Sequence, residues 1–189
     1  MDETKRTRVW DPLVRSFHWL LVGAFVTAYF VEPEDSSIHV LAGYTVLGLV
    51  LLRVVWGLIG SRHARFSDFV YRPSVVLRYV IDAVRFRAKR YLGHSPGGGA
   101  MVIALLIALL ATTVSGLMVY GADQHAGPLA GWMAGVSKEA EDMLEGVHEA
   151  LANMTLGLVI LHLIGVAVAS LSHRENLVKA MFTGYKRAE

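Results

Sequence analysis

The stretch Leu144–Ser170, LEGVHEALANMTLGLVILHLIGVAVAS, sets two histidines inside one long apolar run, fourteen positions apart. At ~100° per residue that separation falls about 40° short of four full turns. His148 and His162 therefore project from one face of a helix, roughly 21 Å apart along its axis. A run this long and this apolar has the character of a membrane span. Imidazole is costly in hydrocarbon, so such a residue faces the interior of a bundle and needs a partner. A lone intramembrane histidine commonly finds that partner in an interhelical hydrogen bond. Two on one face, each with a candidate partner at matching depth elsewhere in the chain, point instead to metal ligation, with haem iron as the natural metal.

The composition agrees with a membrane protein. The 189 residues are 54% hydrophobic, with mean hydropathy +0.45 and the apolar residues in blocks. There is no cysteine. Disulfides, iron–sulfur clusters, thiolate chemistry and covalent C-x-x-C-H attachment are thereby excluded, and any haem is held noncovalently by side chains. The pI near 9.0 is read as topology rather than nucleic-acid binding.

Four spans are predicted, at about residues 13–31, 38–59, 100–120 and 144–170, each near the ~20 residues a bilayer requires. The fold class is an all-α integral membrane protein, a four-transmembrane-helix bundle forming one domain over residues 1–189. His18 and Arg15 sit near the start of the first span, and Glu32-Pro-Glu-Asp-Ser-Ser37 forms a polar turn whose serines can cap the next helix. His39 opens the second span and Arg53 lies near its far end. In the long 61–95 loop, Pro73–Tyr91 alternates apolar residues with arginines at helical spacing, which predicts an amphipathic helix on the membrane surface. Pro96-Gly-Gly-Gly99 is expected to break the chain before the third span. Gly121–Gly135 reads as an interfacial loop with Trp132 as its aromatic anchor. Ser137 is placed as the cap of the fourth helix, with Glu139, Glu141 and Asp142 in its first turns. The tail from Ser172 is basic and amphipathic.

Four spans put both termini on one side, and charge selects the side. Of the 18 Lys and Arg, 17 fall in the amino-terminal segment, the 61–95 loop, the tail and Arg53. The other face carries Lys138 against nine carboxylates, Glu32, Glu34, Asp35, Asp123, Glu139, Glu141, Asp142, Glu145 and Glu149. The positive-inside rule makes the termini and the long loop cytoplasmic.

Depth sorts the eight histidines. His39 and His148 lie near the outer face, and His18 and His162 share the inner level, giving two bis-histidine iron sites. His63, His94, His125 and His173 fall in loops or beyond span ends, where a solvated imidazole is the default. Gly23, Gly43, Gly48, Gly116, Gly157 and Gly165 allow backbones to approach a flat group, although ordinary helix packing uses glycines in the same way. Haem propionates are anionic, and Arg15 and Arg53 are the cations at the inner level; snorkelling to lipid headgroups is the competing role. Glu145 and Glu149 could relay protons beside His148, or simply belong to an acidic first turn. Irons held at six coordination by protein leave no open position, so electron transfer across the bilayer is expected and no catalytic residue is assigned.

Several pieces of the chain together resemble the bacterial cytochrome b561 family, which includes the b-type cytochrome subunits of nickel–iron hydrogenases. They are VWDPLVRSFHW with His18, the His39 start of the second helix, RVVWGLIGSRHARFSDF, YLGHSPGGGAM, and the His148 and His162 pair. The resemblance covers nearly the whole chain. It implies a di-haem cytochrome b in the bacterial inner membrane, with two noncovalent haem b groups on these four histidines, exchanging electrons between quinone and a second donor or acceptor. The acidic outer face would attract a basic c-type cytochrome. Two alternatives accompany this reading. The first is a superoxide:quinone oxidoreductase, disfavoured because those carboxylates repel an anion. The second is the membrane anchor of a hydrogenase or dehydrogenase. A helical scaffold without haem would leave four intramembrane histidines unexplained.

Overall fold

The computed structural model describes residues 6–31 and 36–188. The expected turn at residues 32–35, with Glu32, Glu34 and Asp35 of the acidic face, lies outside the described residues, as does the side chain of Ser36. Four helices are long and apolar enough to cross a membrane. They are α1 (Pro12–Phe30), α2 (Ser36–Ile59), α5 (Pro96–Asp123) and α7 (Lys138–Ser172). Between them lie α3 (Phe66–Phe69), α4 (Pro73–Val84) and α6 (Ala130–Met133), and after them α8 (Leu177–Thr183). A two-stranded antiparallel ribbon joins the ends of the chain, β1 (Arg6–Arg8) with β2 (Tyr185–Arg187), Thr7 opposite Lys186.

The chain forms two compact units, and each long helix passes from one to the other. The first holds both ends of the chain, with Leu51–Ala104 and the carboxy-terminal part of α7 from Ile160. The second consists of Leu21–Val50 and Leu105–Val159.

In the first unit Asp11 starts α1. Its Oδ1 accepts from the Val14 N–H at 2.9 Å, and Pro12 takes the first helical position, where a missing N–H costs nothing. Asp11 Oδ2 accepts from Trp56 Nε1 at 3.2 Å and from Ser61 Oγ, tying the start of α1 to the end of α2. Burial alone would raise this carboxyl, but the hydrogen bonds from Ser61, Val14 and Trp56 outweigh it and hold Asp11 below its ordinary value. Val9, Trp10, Val14 and Ala64 form a small buried core, flanked by Trp56 and Met181.

Two boundaries depart from the sequence-based expectation. Pro96-Gly-Gly-Gly99 does not break the chain; it is the first turn of α5. Ser95 caps it, its Oγ accepting from the Gly98 N–H at 3.1 Å, and Pro96 follows at the position that needs no donor. Gly99 has a steric reason, because a Cβ there would meet the Phe69 carbonyl oxygen at 2.3 Å. The surface helix ends at Val84 rather than Tyr91, and Phe86 just beyond it adopts φ +55°. Its apolar residues Val75, Leu77, Val80, Ile81 and Val84 are all exposed, as suits a helix whose apolar side meets lipid.

An ion network holds the tail. Arg90 Nη2 donates to Glu175 Oε1 at 2.9 Å, the Arg187 N–H donates to the same oxygen at 2.9 Å, and Lys186 Nζ lies 3.7 Å from Glu175 Oε2. Burial alone would raise Glu175, but Arg90, Arg187 and Lys186 hold its carboxyl below the ordinary value. A carboxyl depressed on folding contributes stability that is present above its unfolded pKa of about 4.3 and is lost as pH falls through the folded value. Glu175→Ala is expected to cost roughly 3 kcal/mol by stranding the buried Lys186 and the partly buried Arg90. Glu175→Gln is expected to flatten the acid side of the stability profile. Thermal unfolding of the purified protein from about pH 7 down to 3 reads both effects; an unchanged acid limb in Glu175→Gln would remove Glu175 as its source.

Candidate metal centre

In the second unit α2 and α7 bring His39 and His148 together. Their ring centroids are 6.1 Å apart and the rings stand at 84° to one another. Two imidazole–metal bonds of ~2 Å, plus half a ring on each side, put centroids ~6 Å apart across one metal ion, so the observed spacing would suit two ligands of a single metal. Each ring is anchored through Nδ1. His39 Nδ1–H donates to the Ala28 carbonyl at 2.9 Å, one helix away on α1. His148 Nδ1–H donates to the Thr112 carbonyl at 3.1 Å, with Ser115 Oγ at 3.0 Å. Ser115 in turn donates to Thr112 O at 2.9 Å, so its lone pairs face the imidazole. A carbonyl can only accept, so both protons sit on Nδ1 and both Nε2 lone pairs remain for a metal.

Around the two rings lies a crevice whose walls include Phe25, Leu47, Leu109 and Leu117. Its apolar lining suits a flat apolar group. Gly43 and Gly116 form part of the wall. A Cβ on Gly43 would meet nothing within 4 Å, whereas one on Gly116 would meet His148 Cε1 at 2.9 Å. Gly23, Gly48, Gly157 and Gly165 have open space around them, so close approach is a property of Gly116 among the six glycines named from sequence.

In the first unit His18 and His162 are partly buried and near enough for their charges to interact. His18 lies edge-on to Trp19, centroids 4.9 Å apart, and its Nδ1 is enclosed without a hydrogen-bond partner. Arg15 donates through Nη1 to the Phe182 carbonyl, and its Nε is buried and unpartnered. Arg53 is 3% exposed, so it does not snorkel to headgroups.

The four histidines expected to be solvated divide. His125 is exposed at φ +52°, and His173 is partly buried. His63 Nδ1 pairs with Asp68 Oδ2 at 2.9 Å. His94 contradicts the expectation. It lies against Trp10 at 4.6 Å and Phe69 at 4.4 Å, with Nδ1 enclosed and unpartnered. Burial, aided by the nearby Arg53 charge, pushes its imidazole down to about 3, so it is neutral. The cause is the ribbon between the chain ends, which carries Trp10 over the loop; nothing local to YLGH signals it. Thr112 and Ser115 were likewise not legible as supports of His148, since both are ordinary residues of an apolar helix. Glu145 and Glu149 are exposed.

Comparison with known proteins bears on these sites. A family model described as prokaryotic cytochrome b561 matches residues 9–184. A probable Ni/Fe-hydrogenase B-type cytochrome subunit of Azotobacter vinelandii is 25% identical over 211 residues, covering 94% of this chain and 87% of the relative. Its counterpart in Rhizobium leguminosarum bv. viciae is 24% identical over 217 residues, covering 96% and 89%. No solved structure matches the chain.

Proposed function

The chain belongs to the prokaryotic cytochrome b561 family of membrane haem-b proteins of electron transfer, and from that premise we propose that it carries electrons through two bis-histidine haems between quinone and a redox protein on the acidic face. The observation that supports this most is the His39 and His148 pair, ~6 Å between centroids with both Nδ1 atoms engaged by carbonyls. Bound haem supplies one-electron chemistry. His39 and His148 would hold one iron and His18 and His162 the other, and the apolar walls of the helices would exclude water. His18 and His162 hold the second iron in this reading, with Arg15 and Arg53 as the cations beside it, and the whole chain forms one di-haem unit.

The distribution of basic residues supports a cytoplasmic position for the termini and the 61–95 loop in this reading. On the opposite face the single Lys138 is already engaged by Glu141 at 2.6 Å and Asp142 at 3.4 Å, which leaves that surface negative. It suits a basic partner such as a c-type cytochrome and disfavours superoxide. A second reading, that the chain anchors a catalytic redox subunit, draws on the names of its relatives. The two part in purification, since an anchor stays with its partner.

A pyridine haemochrome assay on the purified protein, with reduced-minus-oxidised spectra after adding quinol, tests the proposal. Two haem b per chain, reduced by quinol, are expected. A colourless protein, or haem that quinol does not reduce, would count decisively against it.

A further inference from the structure

Helix α4 lies in the chain between the end of α2 at Ile59 and the start of α5 at Pro96, so the connections on both sides run to the ends of spans. It has 12 residues, and none of them is buried. Isolated helices shorter than ~12–15 residues are marginal in water, so α4 needs an apolar surface to hold it. At ~100° per residue Leu77, Val80, Ile81 and Val84 fall within an arc of about 100°. All of them are exposed, Leu77 at 63% and Val84 at 74%. Phe86, also exposed, closes the helix at φ +55°, a left-handed conformation in which glycine is the usual residue. An aromatic side chain is thus kept at the end of the helix against backbone strain.

Charge borders this apolar arc on one side. Arg78 and Arg85 flank Ile81 at the i−3 and i+4 positions, within about 20° of each other around the helix. Both are exposed, and among the described residues neither is in an ion pair. Arg87 and Lys89 follow, exposed as well. Asp82, the one carboxylate in α4, lies about 150° from the middle of the arc, where it leaves that edge positive. The apolar arc takes lipid of any charge, while the unpaired arginines beside it call for a counter-charge. We infer that α4 is a recognition element for anionic phospholipid. Leu77, Val80, Ile81 and Val84 enter the acyl boundary, and Arg78 and Arg85 reach the headgroup phosphates from its edge.

The chain has no cysteine, so Val84→Cys gives the full-length protein a single attachment point for an environment-sensitive fluorophore on the apolar arc. The labelled protein is reconstituted into vesicles of phosphatidylcholine alone, or of phosphatidylcholine and phosphatidylglycerol in equal parts, and quenching by lipids brominated on their acyl chains is read. Stronger quenching is expected in the mixed vesicles, with the difference shrinking as salt rises. Arg78→Gln and Arg85→Gln are each expected to lower the ratio of membrane-seated to free α4 about fivefold in the mixed vesicles, and Arg78→Lys and Arg85→Lys to keep most of it. Arg62→Gln removes the same charge from an exposed residue outside the helix and is expected to leave quenching at the parent level. Inorganic phosphate added to the phosphatidylcholine vesicles is expected to change nothing, which separates a headgroup from a free ion. Equal quenching in the two kinds of vesicle, a difference that survives the double change Arg78→Gln and Arg85→Gln, or an equal loss in Arg62→Gln would each overturn the assignment. So would a probe unquenched in both, the result expected if a protein covers this face.

Discussion

Replacing His148 by alanine is expected to halve the haem recovered with the protein, from two groups per chain to one, with the surviving haem keeping a low-spin spectrum. His148 Nδ1 is tied to the Thr112 carbonyl and Ser115, and its ring stands 6.1 Å from that of His39, which fixes it as the partner of His39 in this reading. Loss of a supporting hydrogen bond alone costs a metal site about 10–100-fold in affinity. Loss of the ligand itself exceeds that. His39→Ala is expected to give the same half-loss, and the double variant no more than either single change, because both residues serve one iron. Pyridine haemochrome ratios against protein concentration measure this directly. Two haems retained in either single variant would dissolve the pairing.

The second large effect is steric. A Cβ on Gly116 would lie 2.9 Å from His148 Cε1 and 3.3 Å from its Nδ1, and the ring cannot swing away without giving up the Thr112 carbonyl. In an ordinary helix interior, glycine to alanine stabilises by ~1 kcal/mol. Gly116→Ala is therefore expected to keep or raise the thermal stability of the fold while weakening haem binding at His39 and His148 about 10–100-fold, and Gly116→Val to empty that site. Gly146, where a Cβ meets nothing within 4 Å, is the control, and its alanine variant should bind haem as the parent does. Haem titration followed by optical spectroscopy, run beside thermal unfolding, separates the two effects. Equal haem affinity in Gly116→Val and the parent would refute the steric account.

The four spans were legible because each is a long block of apolar residues with polar or glycine-rich flanks, and helical periodicity needs no tertiary information. The capping of α1 was equally local, since Asp11 and Pro12 carry their own instruction. Ser95 and Pro96 carry the same instruction, but three glycines in a row look like a break until the Phe69 carbonyl is seen to occupy the space a Cβ would need. The histidines could be sorted by depth because depth is a linear coordinate along a span. Depth says nothing about what lies beyond the ends of the spans. The enclosure of His94 depends on Trp10 and Phe69, and the burial of Arg53 on Phe66, Phe69 and Ala64. Those contacts arise from a loop folding back and from two chain ends meeting, neither of which leaves a periodic trace. Trp132, expected at the membrane interface, is 82% exposed.

The pairing of Arg6–Arg8 with Tyr185–Arg187 has a consequence for biosynthesis. The first strand leaves the ribosome long before the second, so its backbone groups must wait, hydrated, until all four helices have been threaded and Tyr185–Arg187 has emerged. The clasp therefore closes only after the fourth span is in place. A molecule cut before Gly184 would also disturb Val9 and Trp10, whose N–H groups both donate to the Gly184 carbonyl. Nascent chains that stall before Gly184 should accordingly be cleaved by protease near Arg6–Trp10, while chains that carry the second strand resist.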